Sequence, residues 1–287
     1  MLLSPIEEII EDIMAGKMVI VCNDKDRESE GDLTMAAELV TLEDINFMAT
    51  HGCGLICLPM RAEMLDGLQI LDMVRHNNSR LGTAFTVSIE AREGIMTGIS
   101  AADRARTNQV AVDDGSGPND LVTPGHVSPL RARDGGVLRR AGHTETAVDL
   151  AYLAGFKPAG VNCEIMKEDG TMARVPDLEN FSKEHGVKIT TVAHIIEHRR
   201  THEKLISFAV QTRLPSELGE FRLRAYENDI DELTYLALVM GKPESKDGAL
   251  VRVHSACLRG DAIHSLRCDC RAQLQAAMKQ VAREGRG

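Results

Sequence analysis

The chain has 287 residues, with 43 acidic against 33 basic side chains and a formal charge of −10, which excludes the concentrated basic surface that nucleic acid requires. Apolar residues at 43% and charged residues at 26% exclude disorder of the whole chain, and no apolar run approaches the roughly 20 residues that cross a bilayer. Seven dispersed cysteines and a start, Met1-Leu2-Leu3-Ser4-Pro5, without the features of a signal peptide predict a protein of the reducing cytoplasm, free of disulfides.

The opening segment predicts a helix, with Ser4 as N-cap, Pro5 at its first position, Glu7 three residues after the cap and Gly16 as its stop. A strand follows at Met18–Cys22. Further short strands are predicted at 54–59, 84–89, 126–131, 161–166 and 187–191, between helices near 42–50, 101–108, 145–154, 178–185 and 191–203. This irregular alternation predicts an α/β (α+β) fold, a sheet covered by helices. The texture changes near residue 203, where a charged helix gives way to Leu205-Ile-Ser-Phe-Ala-Val210, so one domain is placed at 1–203 and a second at 204–287. For the second, strands at 205–213 and 220–226, a helix near 230–240, a strand at 249–254 and a helix at 272–284 are predicted. Ending soon after that helix, it reads as an incomplete second α+β domain.

The densest polar feature is Asp24-Lys-Asp-Arg-Glu-Ser-Glu-Gly-Asp32. If it is extended, Glu28, Glu30 and Asp32 share one face, and such carboxylates suit Mg²⁺ or Mn²⁺ unless the run is a solvated acidic loop. In Gly135-Gly-Val-Leu-Arg-Arg-Ala-Gly-His-Thr-Glu145, Thr144 is placed to cap the next helix, with Arg140 and His143 beside an end that favours phosphate. Ser100-Ala-Ala-Asp-Arg-Ala-Arg-Thr107 reads as a capping box, either plain helix capping or a phosphate seat using Ser100, Arg104 and Thr107. His126 follows a Pro-Gly turn, and Glu164 is a lone acid in an apolar strand; together they are a natural acid–base pair.

Six motifs in order, Asp26-Arg-Glu-Ser-Glu-Gly-Asp32, His51-Gly-Cys-Gly-Leu-Ile-Cys57, Gly82-Thr-Ala-Phe-Thr86, Thr123-Pro-Gly-His126, Arg140-Ala-Gly-His-Thr-Glu145 and Cys163-Glu164, resemble 3,4-dihydroxy-2-butanone 4-phosphate synthase of riboflavin biosynthesis, over about residues 4–202. The resemblance implies a three-layer mixed sheet, a homodimer with active sites near the subunit interface, and a lyase. Its reaction converts D-ribulose 5-phosphate to L-3,4-dihydroxy-2-butanone 4-phosphate and formate, by metal-assisted enediolate formation and skeletal rearrangement. It further implies that Glu28 and His143 hold Mg²⁺ or Mn²⁺. Arg27, Glu28, Asp32, Arg140, Ala141, Gly142, His143, Thr144 and Glu164 are then expected to contact substrate, and His126 and Glu164 to move protons. The rival expectation is a non-catalytic metal-binding or regulatory protein.

Beyond residue 204, Leu214-Pro-Ser-Glu-Leu-Gly-Glu-Phe221, Arg252-Val-His-Ser255 and Cys257 through Cys270 resemble GTP cyclohydrolase II, so the whole is similar to the start of a bifunctional, multifunctional enzyme. Cys257, Cys268 and Cys270 form a three-thiolate zinc pattern that leaves a fourth position open. Arg252, Val253, His254, Ser255 and Gln273 resemble GTP contacts. The segment ends before the resemblance's catalytic Asp and Arg, which predicts a truncated, inactive GTP cyclohydrolase II part.

Overall fold

The computed structural model describes residues 3–23, 30–228, 230, 233–244 and 248–287, in two units, Met1–Glu203 and Lys204–Gly287. In chain order the first unit holds α1 (Ile6–Met14), β1 (Val19–Cys22), β2 (Gly31–Ala36), α2 (Leu42–Phe47), β3 (Cys57–Met60), α3 (Ala62–Gly67) and β4 (Ile89–Ala91). It continues with α4 (Ala101–Val112), β5 (Leu121–Arg131), α5 (His143–Leu153), β6 (Gly160–Glu164), α6 (Val175–His185), β7 (Ile189–Thr191) and α7 (Val192–His202).

Seven strands form one mixed sheet in the order β4-β5-β3-β6-β2-β1-β7. β1 pairs antiparallel with β2 and parallel with β7, and β6 runs antiparallel to both β2 and β3. The period of two along β1 divides the core between the two faces. Val19 and Val21 pack with Ile9 and Ile13 of α1, Leu150 and Ala151 of α5, and Val192 and Ile195 of α7. Ile20 and Cys22 point the other way, into a cluster with Ile45 of α2, Leu65 of α3, Val110 of α4 and Leu178 of α6. Helices therefore cover both faces, a three-layer arrangement. α5 lies close on β6 because Gly160 has no side chain; a Cβ there would come within 2.9 Å of the Ala147 Cβ.

Several elements differ from the sequence-based expectation. β2 was not expected: it alternates Asp32 and Thr34 with apolar residues, yet every residue is buried because strands flank it on both sides. α3 was also not expected. The strand expected at 84–89 shrinks to isolated bridges at Phe85 and Thr86 followed by β4. Ser4 does not cap α1; Pro5 occupies the cap position, and the Ser4 amide instead donates to the Ile189 carbonyl. Thr144 does not cap α5 either, because the helix begins two residues earlier than expected, at His143, with Gly142 as its cap.

The second unit holds a three-stranded antiparallel sheet, β10-β9-β8, made of β8 (Ile206–Ser216), β9 (Gly219–Asn228) and β10 (Tyr235–Val239), and a helix α8 (Cys270–Glu284). β10 stands where a helix near 230–240 was expected. Tyr235-Leu-Ala-Leu-Val239 is compatible with either form, and pairing with β9 decides for the strand. Residues 249–254 form no strand.

Candidate active site

Asn23 and Glu30 close the base of the acidic segment: the Glu30 amide donates to Asn23 Oδ1 at 3.1 Å, and the Asn23 amide donates to the Glu30 carbonyl at 3.2 Å. Arg27 and Glu28, both expected to serve the site, lie outside the described residues. Asp32, two residues into β2, is 2% exposed. The β2–β6 register sets it directly opposite Glu164, so the two carboxyl groups share one face of the sheet.

Asp32 is held from two sides. Asn162 Nδ2 donates to its Oδ2 at 2.6 Å, and His143 Nδ1 lies 3.3 Å from its Oδ1. Asn162 was not singled out from the sequence, although its place two residues before Glu164 puts both on one strand face. Glu164 Oε2 accepts the Leu55 amide at 2.9 Å. That amide is brought over Glu164 by a wide turn at Met48–Gly52 after α2, with Cys53 in the left-handed region at φ 65°. Burial, and then the Asp32 charge, hold the Glu164 carboxyl above the ordinary carboxylate range.

His143 opens α5, and its side chain is 10% exposed. Arg140 reaches back from the preceding turn. Its guanidinium donates to Glu145 at 2.5 Å, to Thr83 Oγ1 at 3.1 Å and to the Leu81 carbonyl at 3.2 Å. Ala141 and Gly142 complete the turn, with Thr144 buried in the first helical turn. Asp32, Arg140, Ala141, Gly142, His143, Thr144 and Glu164 thus lie along one stretch where β2, β6 and α5 meet. An imidazole beside the buried Asp32 and the half-buried Glu164, two carboxyl groups that repel one another, suits a hard divalent cation, and a helix N-terminus beside an Arg suits phosphate.

The cysteines behind this cluster are core groups. Burial first, then the acids, pushes Cys163 up to about 12; Cys57 is raised in the same way. Neither is a thiolate at neutral pH.

His126 stands apart. Its Nδ1 is hydrogen-bonded to Glu90 of β4, a residue the sequence did not single out. No hydrogen bond or ion pair joins His126 to Asp32, His143 or Glu164 among the described residues. The α4 motif is used internally: Ser100 Oγ caps the Asp103 amide at 3.1 Å. The Asp103 carboxylate, instead of closing a capping box, accepts the Met96 and Gly98 amides at 3.1 and 2.9 Å. Thr107 is fully buried, accepting the Ala91 amide and donating to the Asp103 carbonyl. This is helix capping, and it leaves no hydroxyl of Thr107 for a phosphate.

In the second unit the sulfur atoms of Cys257, Cys268 and Cys270 lie within 4.8 Å of one another, the geometry of a three-thiolate metal site. The Gly260 amide draws the Cys257 thiol down, while its sulfur neighbours push Cys270 up to about 11. Asp261 braces the turn by accepting the Cys257 amide at 2.8 Å and facing His254 Nε2 at 3.0 Å. Arg252 donates to Gln273 at 2.5 Å. Val253 is 87% exposed, and Ser255 lies on the same irregular segment as Arg252 and His254.

Residues 7–198 match the family model described as 3,4-dihydroxy-2-butanone 4-phosphate synthase, and residues 207–287 match GTP cyclohydrolase II. The riboflavin biosynthesis protein RibBA of Salinispora arenicola (strain CNS-205) is 52% identical over 282 residues, 98% of this chain and 67% of the relative. That of Aquifex aeolicus (strain VF5) is 53% identical over 284 residues, 98% and 70% of the two chains. Among solved structures, RibBX, a two domain 3,4-dihydroxy-2-butanone 4-phosphate synthase from A. baumannii, is 44% identical with a TM-score of 0.82, covering 98% of this chain and 88% of its own. A 3,4-dihydroxy-2-butanone 4-phosphate synthase in complex with two magnesium ions is 38% identical with a TM-score of 0.67, covering 70% and 98%.

Proposed function

The chain belongs to the 3,4-dihydroxy-2-butanone 4-phosphate synthase family, lyases of riboflavin biosynthesis, and from that premise we propose that it converts D-ribulose 5-phosphate to L-3,4-dihydroxy-2-butanone 4-phosphate and formate. The observation that carries this reading is the cluster of Asp32, His143 and Glu164 at the N-terminus of α5. Arg140 and the first amides of α5 hold the phosphate. Arg27, Asp32 and Glu164 orient the sugar hydroxyls, and Ala141, Gly142 and Thr144 shape the turn around it. Glu28 and His143 hold Mg²⁺ or Mn²⁺, which when bound stabilises negative charge building on the ketose oxygens. Glu164, with its raised pKa, and His126 move the protons, beginning with removal of the C3 proton. The enediolate rearranges and C4 leaves as formate.

Because His126 is bonded to Glu90 and not to the Asp32–His143–Glu164 cluster, we place it across a homodimer interface, where it serves the partner's cluster. Exposed apolar residues support this: Leu55 beside Glu164, and Met96 and Ile99 in the segment that runs over His126. Seven free cysteines support a reducing cytoplasm, and no described helix is long and apolar enough to cross a membrane.

For Lys204–Gly287 the reading is zinc held by Cys257, Cys268 and Cys270, and GTP contacted through Arg252, Val253, His254, Ser255 and Gln273. Opening of the GTP ring is not proposed for these 287 residues. Formate release measured separately from ribulose 5-phosphate and from GTP, with and without EDTA, tests both parts. The expected result is metal-dependent formate from the sugar phosphate, abolished by EDTA and restored by Mg²⁺ or Mn²⁺, and none from GTP. No formate from the sugar phosphate in the presence of Mg²⁺ overturns the synthase reading, and formate from GTP overturns the expectation that these residues do not open its ring.

A further inference from the structure

The pairing of β4 with β5 slips between Ile89 and Glu90. Ile89 faces Val127, whereas Glu90 faces Val122, so residues 123–126 bulge from the ladder and carry His126 with them. Bulges of this kind re-aim a side chain, and here the ring is turned onto the Glu90 carboxylate, to which Nδ1 is hydrogen-bonded. The Glu90 side chain is 15% exposed and that of His126 46%, so the acceptor is enclosed while much of the imidazole remains open.

The enclosure is built from α4. Gly98, in the left-handed region at φ +87°, lies against the pair, and a Cβ there would come within 2.7 Å of His126 Nδ1. Its amide is fixed by Asp103, and the amide of Ala91, next to Glu90, is fixed by Thr107. The Ser100–Asp103–Thr107 motif therefore holds both the strand that carries Glu90 and the segment that covers it. An ionised carboxylate only accepts hydrogen bonds, so Nδ1 must carry the proton, and in the neutral ring Nε2 then carries the lone pair.

We propose that Glu90 is the positioning residue for His126, fixing its Nδ1–H tautomer so that Nε2 is the atom that takes and returns the substrate proton. This rests on the reading of His126 as a proton-transfer residue. The proton moves to Nε2 and its bonding electron pair stays on the substrate carbon. The imidazolium so formed keeps its Nδ1–H bond to Glu90, which stabilises the charge without accepting the proton, and Nε2 returns the proton in a later step.

The test uses the 287-residue chain and D-ribulose 5-phosphate, with kcat and KM from formate release for Glu90→Gln, Glu90→Asp and His126→Ala. Imidazole ¹⁵N spectra accompany the kinetics, with the His126 signals assigned by their loss in His126→Ala. Glu90→Gln is expected to lower kcat by about 100-fold or more with KM within about threefold, and Glu90→Asp to recover part of that loss. The unmodified chain is expected to report an Nδ1–H tautomer at His126, and Glu90→Gln an Nε2–H tautomer. Full activity in Glu90→Gln beside an inactive His126→Ala overturns the positioning role and leaves His126 standing; full activity in His126→Ala overturns both. If Glu90→Gln fails to fold, the unmodified chain decides, because an Nε2–H tautomer there refutes the proposal.

Discussion

Gly54 is the position where a single methyl group should separate activity from folding. Its neighbour Leu55 donates an amide to Glu164 Oε2 at 2.9 Å, and the close approach depends on the missing side chain. A Cβ at Gly54 would stand 2.4 Å from the Glu164 carbonyl oxygen, 2.7 Å from Oε2 and 2.8 Å from the Cβ of Glu164, where ordinary contact begins at 3.4 Å. The Glu164 backbone must therefore retreat by about 1 Å and carry its carboxylate with it, because rotating the side chain does not relieve the contact with the carbonyl. A displacement near 1 Å of a reacting group costs about 100-fold in rate, equivalent to about 2.7 kcal/mol in the barrier. Overpacking at such a site costs about 1–3 kcal/mol of stability. Gly54→Ala is thus expected to lower kcat for formate release from ribulose 5-phosphate by about 100-fold while the chain still melts cooperatively. Gly67→Ala, where nothing lies within 4 Å of the added carbon, serves as the control that leaves activity unchanged. Folded Gly54→Ala with kcat within about threefold of the unmodified chain would refute the placement of Glu164 in the chemistry.

Asp149 is buried, and burial pushes its pKa up from 3.8 to about 6 against the pull of Arg199 at 2.7 Å. Its contribution to stability is full below about pH 4 and is lost as pH rises through about 6, a change of about 3 kcal/mol. The stability difference between the unmodified chain and Asp149→Asn should shift by that amount in favour of the variant between pH 4 and 7 in urea titrations, and a flat difference would contradict it. If each site takes His126 from the partner, mixing inactive His126→Ala and Glu164→Gln proteins under subunit exchange should restore about one quarter of full activity; no recovery despite demonstrated exchange would argue against the shared site. Cys257→Ser should lose the zinc that metal analysis finds in the unmodified chain, and equal zinc in both would count against the three-thiolate reading.

The parts of the fold that were legible share one property, that local pattern and final environment agree. β1 is a short apolar run whose alternate residues feed two cores, and α4 shows its cap in Ser100. β2 was hidden because its polar positions, Asp32 and Thr34, break the apolar run that marks a buried strand, whereas pairing on both sides buries them. β10 was misread because five residues of mixed propensity take their form from the strand beside them.

The candidate site divides along the same line. Residue types and motif order pointed to Asp32, His143 and Glu164, because imidazole and carboxyl groups are recognisable wherever they stand. Their relation was not legible, since the Asp32–Glu164 pairing is a matter of strand register and the His126–Glu90 contact depends on a bulge. The cysteines make the point most sharply, since seven look alike in sequence. Cys57 and Cys163 are buried in an apolar core beside carboxylates, which keeps them as thiols, whereas Cys257 and Cys268 bring their sulfur atoms to 3.8 Å and Cys257 accepts the Gly260 amide. The chemistry available to a thiol is set by that surrounding dielectric and by the donors facing it, so spacing nominates a metal site and only the folded environment separates it from core.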